Sequence, residues 1–369
     1  MRPTVKIGLV APFEGRYRYV GYDVIYAARL ALQEANRDGG VSGYGVELVA
    51  YDDGAEPAMA VEQARKLDVD TQVLGALGHF RDTTTKAVVS TYTDAGLPLV
   101  APAALASELS AAPMFYAPGP PADELADPLL DRAQQRASDG EIVLVGDEGP
   151  LTVALHAAAQ GRRLGLPFVS GQSSDWHEQL LAHDPAVLLC DLEPVRAGEV
   201  ISALRKGGWE GEVVGGPALA ASDFVAVAGP SAAGATFLTP WPFPAHLPGG
   251  EAFVAAYVEI SGGTKPGPYA LPAYRAAWRL VEALEVAAAD GPPTRQAVAS
   301  ALLDLEGQTV LGGMEVGGEA GSRGAELFWY RIGADGAPSL MRRESTSEVG
   351  SPLVASQRRA ARGTEPCLR

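Results

Sequence analysis

Short apolar runs separated by stretches with helical periodicity recur along most of the 369 residues, and this alternation leaves few folds open. Residues 5–10 read as a buried strand, followed by a polar loop over 11–19. Beyond it Val20, Val24, Ala27, Ala28, Ala31, Leu32 and Ala35 repeat at helical spacing until Gly39-Gly40 ends the helix. Residues 46–51, 73–77, 98–101, 141–146, 168–169, 186–191, 211–214 and 235–239 continue the strand series. Helical stretches, among them 57–68 and one from about Thr83, lie between them. Strands that alternate with helices pair in parallel, with the helices on both faces. The last third departs from this order, with helices expected over 272–289 and 294–305 and late strands near 326–332.

So many strands exceed one comfortable sheet, and the length exceeds what one core needs, so two α/β lobes are expected. Two proline-rich segments, Ala117-Pro118-Gly119-Pro120-Pro121 and Pro240-Trp241-Pro242-Phe243-Pro244, mark crossings between them. In open α/β sheets ligands sit beyond the carboxyl ends of the strands. That rule selects the loops 11–19, 52–56, 78–82 and 102–107 in one lobe, and 147–150, 191–195 and 215–218 in the other.

Composition removes several functions. Forty-five acidic against 29 basic residues give a net charge of -16, a surface that repels phosphate backbones and argues against a nucleic-acid partner. No stretch has the length and apolarity of a membrane span. Of the two cysteines, Cys190 lies in an apolar run and reads as a small buried hydrophobe, while Cys367 lies in a polar tail; neither spacing suggests a metal or a disulfide. Nucleophile-elbow, phosphate-loop and dinucleotide-glycine patterns are missing, and the five histidines form no ligand cluster. His79 alone falls in a predicted cleft loop, as a ligand contact or as a satisfied structural residue. No catalytic residue, cofactor or metal is therefore expected. Met1-Arg2-Pro3-Thr4 runs directly into the first strand, without a signal peptide in this numbering.

Lys6-Ile7-Gly8-Leu9-Val10-Ala11-Pro12, the helix ending Asn36-Arg37-Asp38-Gly39-Gly40-Val41, and Asp52-Asp53-Gly54 with Pro57 after the second strand form an ordered set. Gly78-His79, Ala95-Gly96-Leu97-Pro98 and Pro102-Ala103-Ala104 followed by Glu108-Leu109 extend it. In this order the segments resemble the type I periplasmic binding proteins, in particular the leucine/isoleucine/valine-binding branch, densely over 5–109 and more loosely to about Ile332. The resemblance implies two Rossmann-like lobes joined by three hinge crossovers that close on a ligand. The expected division is 1–117 with 243–322, and 118–242 with 323–340, leaving 341–369 as a poorly ordered tail.

The amino-acid pocket of that branch transfers poorly. The hydroxyl residue after the Gly-His strand end corresponds to Asp82, beside Thr83, and the second hydroxyl, beyond Ala103, corresponds to Leu105. The aromatic residue and the carboxylate that hold an ammonium fall on Glu193 and Ala218. A carboxylate ~4 Å from a ligand carboxylate costs about 1 kcal/mol in water and roughly 4 kcal/mol at an effective dielectric of 20, so Asp82 argues against a plain amino-acid carboxylate there. Asp82 caps the helix that follows, meets ligand, or does both. Arg81 and the run Arg16-Tyr17-Arg18-Tyr19 offer forks for an acid and rings for a planar or sugar-like face, or simply a solvated loop. Trp241 packs a hinge or forms a platform, and Tyr269 stands near an expected aromatic cleft wall. Asp147 and Asp191 are strand-end turn residues or cleft groups.

The resemblance implies the solute-binding component of an ABC importer: a monomer that takes a small polar metabolite, amino-acid-related or another polar or aromatic acid, and delivers it to a membrane permease. The alternative is a ligand sensor of the same fold without a transport role. The location is extracytoplasmic if a leader was trimmed, and cytoplasmic if this numbering is the full gene product.

Overall fold

The computed structural model describes residues 2–106, 109, 112–305 and 326–345. The polar loop after the first strand, β1 (Thr4–Ala11), is shorter than the pattern suggests. Gly15, at φ +71°, turns the chain into a 3-10 turn over Gly15–Tyr17, and α1 (Arg18–Arg37) starts immediately. There follow β2 (Gly45–Asp52), α2 (Pro57–Val69), β3 (Val73–Gly78), α3 (Asp82–Asp94), β4 (Leu99–Val100) and β5 (Phe115–Tyr116). The five strands form one parallel sheet in the order β2-β1-β3-β4-β5.

Glycines let helices close on both faces of this sheet. A Cβ on Gly8 would lie 2.6 Å from Leu67 of α2, and one on Gly75 would lie 2.6 Å from a methyl of Leu280 on a later helix. Ile7 and Leu9 face the apolar stripe of α1, including Val24 and Ala28; Val10 and Ala76 face Leu67 of α2 and Val88 and Tyr92 of α3. Each fully buried leucine in such a layer contributes roughly 1.5–3 kcal/mol relative to exposure.

The second half begins with α4 (Ala122–Ala137), β6 (Ile142–Gly146), α5 (Pro150–Gly161), β7 (Phe168–Ser170) and α6 (Trp176–His183). It continues with β8 (Val187–Asp191), α7 (Pro194–Lys206), β9 (Glu212–Gly215), α8 (Ser222–Ala228) and β10 (Thr236–Thr239). The chain then returns to the first sheet for α9 (Gly250–Ser261), α10 (Ala270–Ala287), which carries Leu280, and α11 (Arg295–Asp304). It ends its described course in the second sheet with β11 (Glu326–Ile332) and β12 (Pro338–Ser345). That seven-stranded sheet runs β12-β11-β10-β9-β8-β6-β7, parallel except at the β10–β11 and β11–β12 pairs. Its inner strands are packed on both faces, by Leu129 and Leu155 of α4 and α5 and by Ile201 and Leu204 of α7.

The chain thus passes between the sheets between β5 and α4, between β10 and α9, and between α11 and β11. The first two passages hold the proline-rich segments. The third falls on 306–325, outside the described residues, as do Ser107, Glu108 and Cys367. The last strand corrects one expectation: β12 pairs with β11 through Ser345, five residues into the stretch read as a poorly ordered tail. The antiparallel partner supplies the backbone hydrogen bonds that a polar, arginine-rich segment does not advertise. Residues 346–369 are outside the described residues.

Candidate functional site

Buried carboxylates fix the first wall of the cleft. Asp23 lies on the inward stripe of α1, 8% exposed, and accepts hydrogen bonds from the amides of Gly267 and Tyr269, both at 2.7 Å, and from the Tyr257 hydroxyl at 3.3 Å. Burial pushes its carboxyl up to about 6, against the pull of those donors. Through this clamp Asp23 sets the position of Tyr269 at the start of α10. At the end of β3, His79 is fully buried; its Nδ1 meets Asp53 at 2.7 Å and its Nε2 meets the Tyr92 hydroxyl at 3.3 Å. His79 is therefore the satisfied structural residue of the two readings open for it, holding the loops after β2 and β3 together.

Arg81 and Asp82 follow directly. The helix α3 begins at Asp82, with Arg81 at its N-cap, so Asp82 occupies the first helical position and not the cap. Its Oδ1 instead accepts from the amides of Leu105 and Ala106, each at 2.9 Å. The capping expectation fails because the loop after β4 comes near enough to compete for the carboxylate. Arg81 lays its guanidinium over the Tyr17 ring, 3.9 Å from the centroid, and its Nε is buried without a hydrogen-bond partner. Tyr19 and Tyr269 stand 6.3 Å apart by ring centroid, and Trp241, 7% exposed, packs 5.8 Å from Tyr269. Burial holds the Tyr269 phenol neutral, pushed up to about 12.

The second wall comes from the carboxyl ends of β6, β8 and β9. Asp147 accepts from the Gln172 side chain at 3.0 Å, and Asp191 from Thr152 Oγ1 at 2.7 Å. Burial raises the Asp191 carboxyl to about 6 despite that hydrogen bond, and the charges of Asp147 and Asp82 push the same way. Glu193 accepts from the amides of Val195 and Arg196 at 3.2 and 3.1 Å and so caps α7. It also meets Arg16 Nη1 at 3.5 Å across the cleft, with side-chain exposures of 5% and 57%.

The residues expected from sequence therefore divide. Arg16, Tyr17, Tyr19, Arg81, Asp82, Tyr269 and Trp241 gather on the first wall, or border it; Asp147 and Glu193 lie on the second. Ala218 is half-buried in the turn after β9, Ala103 is buried, and Leu105 is half-buried with its amide held by Asp82. Arg18 and Thr83 are exposed at the first turns of their helices. The expectation missed Asp23 and Thr152, and selected the loop 52–56 without singling out Asp53. Asp23 had a signal: position 23 falls between Val20, Val24 and Ala27 on the apolar face, where a carboxylate must find partners. Among the described residues no group of three or more His, Cys, Asp or Glu is placed to hold a metal, and no helix is long and apolar enough to cross a membrane. Cys190 is buried, and burial pushes its thiol up to about 12.

Known proteins fit this architecture. The sequence model described as periplasmic binding protein matches residues 4–337. The Leu/Ile/Val-binding protein homolog 2 of Brucella abortus is 23% identical over 362 residues, 90% of this chain and 92% of that protein. The leucine-, isoleucine-, valine-, threonine- and alanine-binding protein of Pseudomonas aeruginosa is 34% identical over 107 residues, a stretch covering 29% of this chain and 28% of that protein. The crystal structure of a leucine-binding protein LivK from Thermotoga maritima superposes with a TM-score of 0.79 at 18% identity, over 94% of this chain and all (100%) of that one. A fatty acid ABC transporter substrate-binding protein from Thermomonospora curvata superposes with a TM-score of 0.77 at 20% identity, over 92% of each chain.

Proposed function

Because the chain belongs to the periplasmic binding protein family, matched over residues 4–337, we propose that it is the extracytoplasmic solute receptor of an ABC importer. In this reading it closes by hinge motion on a small polar metabolite, amino-acid-related or another acid, and presents it to a membrane permease as a monomer. The moving bodies are 1–117 with 243–322, and 118–242 with 323–340, the second extended through Ser345 by the pairing of β12 with β11. The observation that carries the reading is the pairing of Arg16 on the first wall with Glu193 on the second, which brings polar groups from both sheets onto one cleft. The binding residues proposed are Arg16, Tyr17, Tyr19, Arg81, Trp241 and Tyr269 on the first side and Asp147 and Glu193 on the second.

The relatives are named for branched-chain amino acids and for fatty acid, so their names leave the solute class to the residues of this cleft. The test is a thermal-shift screen of the full chain against amino acids, amides, aromatic acids, polyamines and sugars. A true solute at ~100 times its dissociation constant adds about 2.7 kcal/mol of stability, a shift a melting curve resolves. Conversion of a bound solute into a product would replace the receptor reading with an enzymatic one.

A further inference from the structure

Arg81 and Asp82, neighbours at the start of α3, treat anions in opposite ways. Successive backbone amides in a turn can form a seat for an anion. The amides of Leu105 and Ala106 make such a pair, and the seat is filled from within the chain by Asp82 Oδ1, at 2.9 Å from each. A ligand carboxylate would have to displace a carboxylate already held in place. Arg81 presents the reverse case. Its guanidinium is stacked on Tyr17, and its Nε is buried without a hydrogen-bond partner. Arg16, the other arginine of this wall that reaches the cleft, already has Glu193. A guanidinium held flat by a ring, with an unmet N–H, offers a preorganised fork to a carboxylate.

Resting on the receptor reading, we infer that the cleft takes an organic monocarboxylic acid with a flat, unsaturated or aromatic body. Its carboxylate pairs with Arg81, its body lies against Tyr19 and Tyr269, and Asp82 is the specificity-determining residue that closes the adjoining backbone amides to ligand. The experiment is titration calorimetry on the full chain with benzoate, benzamide and leucine, repeated with Arg81→Gln, Arg81→Lys and Asp82→Ala. Melting curves and circular dichroism establish that each variant is folded. Benzoate is expected to bind and benzamide not, with Arg81→Gln weakening benzoate about 10- to 100-fold, the worth of a charge-assisted hydrogen bond. Arg81→Lys should recover only part of the loss, because it keeps the charge and loses the fork. In Asp82→Ala the freed amides should admit a second mode, read as measurable binding of leucine that the parent chain lacks. Tight binding of leucine or benzamide to the parent chain, or benzoate binding indifferent to Arg81→Gln, overturns the inference and leaves the receptor reading standing. No binding by any of the three, together with a silent thermal-shift screen, removes both.

Discussion

The two walls of the cleft hold their polar groups by contrasting means. On the side of the five-stranded sheet, the carboxylates Asp23, Asp53 and Asp82 are turned inward and spent on positioning loops, and the cleft itself is left with aromatic rings and arginine. On the side of the seven-stranded sheet, Asp147, Asp191 and Glu193 stand at strand ends, each steadied by one or two donors. The first wall is therefore a prebuilt surface whose shape depends on buried charge. The second is an acidic surface that keeps its carboxylates at the strand ends. Mutations should separate these roles, with large stability effects on the first side and smaller ones on the second.

The deepest cost is expected at His79. Replacing it with Ala leaves Asp53, fully buried, without its 2.7 Å partner. Removing one member of a buried pair costs about 3–5 kcal/mol. Urea denaturation of His79→Ala measures this, and a loss under about 1.5 kcal/mol would mean that water reaches Asp53 and the first wall is not rigid as described. Asp23→Ala comes next. It orphans the Gly267 and Tyr269 amides together, for an expected loss of about 2–4 kcal/mol. Because Tyr269 is released, solute affinity should fall with it. A variant that loses stability but binds solute unchanged would take Tyr269 out of the site.

These two residues also mark where sequence reading stopped. The alternation of strand and helix, the two proline-rich crossings and the loops at strand ends follow from periodicity and turn chemistry, which are local. Glu193 facing the cleft followed from its place after β8. Its capping of α7 and its bond to Arg16 did not, because the first depends on one backbone angle and the second on how two distant segments approach. Asp82 is the sharpest case. Its position before a helix reads as a cap, and only the course of the loop after β4 turns it onto Leu105 and Ala106. The strand β12 was hidden for a similar reason, since its polar sequence is held by pairing with β11.

Each wall holds a carboxyl that burial raises to about 6, Asp23 on the first and Asp191 on the second, and at Asp191 the sign of the pH dependence can be tested without releasing the clamp on Tyr269. Burial, with the charges of Asp147 and Asp82, raises the Asp191 carboxyl to about 6 in the folded chain, against 3.8 for an ordinary aspartate. Between these values the native state holds a proton that the unfolded state has lost. Its contribution to stability is full below the unfolded value and is lost as pH rises through the folded one. Asp191→Asn fixes the uncharged form, so it should stabilise the chain by about 1–2 kcal/mol near pH 7.5 and by nothing near pH 3.5. Thermal melts at the two pH values test the sign. Destabilisation at the higher pH would mean that the charged form of Asp191 is the one the fold prefers.

The smallest effect should come from the one ion pair that spans the walls among the described residues. Arg16 meets Glu193 at 3.5 Å but is 57% exposed along its side chain, so solvent and salt screen the attraction. Glu193 also caps α7, and its replacement by Gln therefore loses cap and cross-cleft contact together. Only a double-mutant cycle of Arg16→Ala with Glu193→Gln separates the two. The coupling in stability is expected at about 0.2–1 kcal/mol, shrinking in high salt. Read through solute affinity, the same pair biases closure by no more than about fivefold. A coupling well above this, insensitive to salt, would show that the pair is a desolvated latch. In that event the second wall would be as preorganised as the first, and the contrast between them would fail.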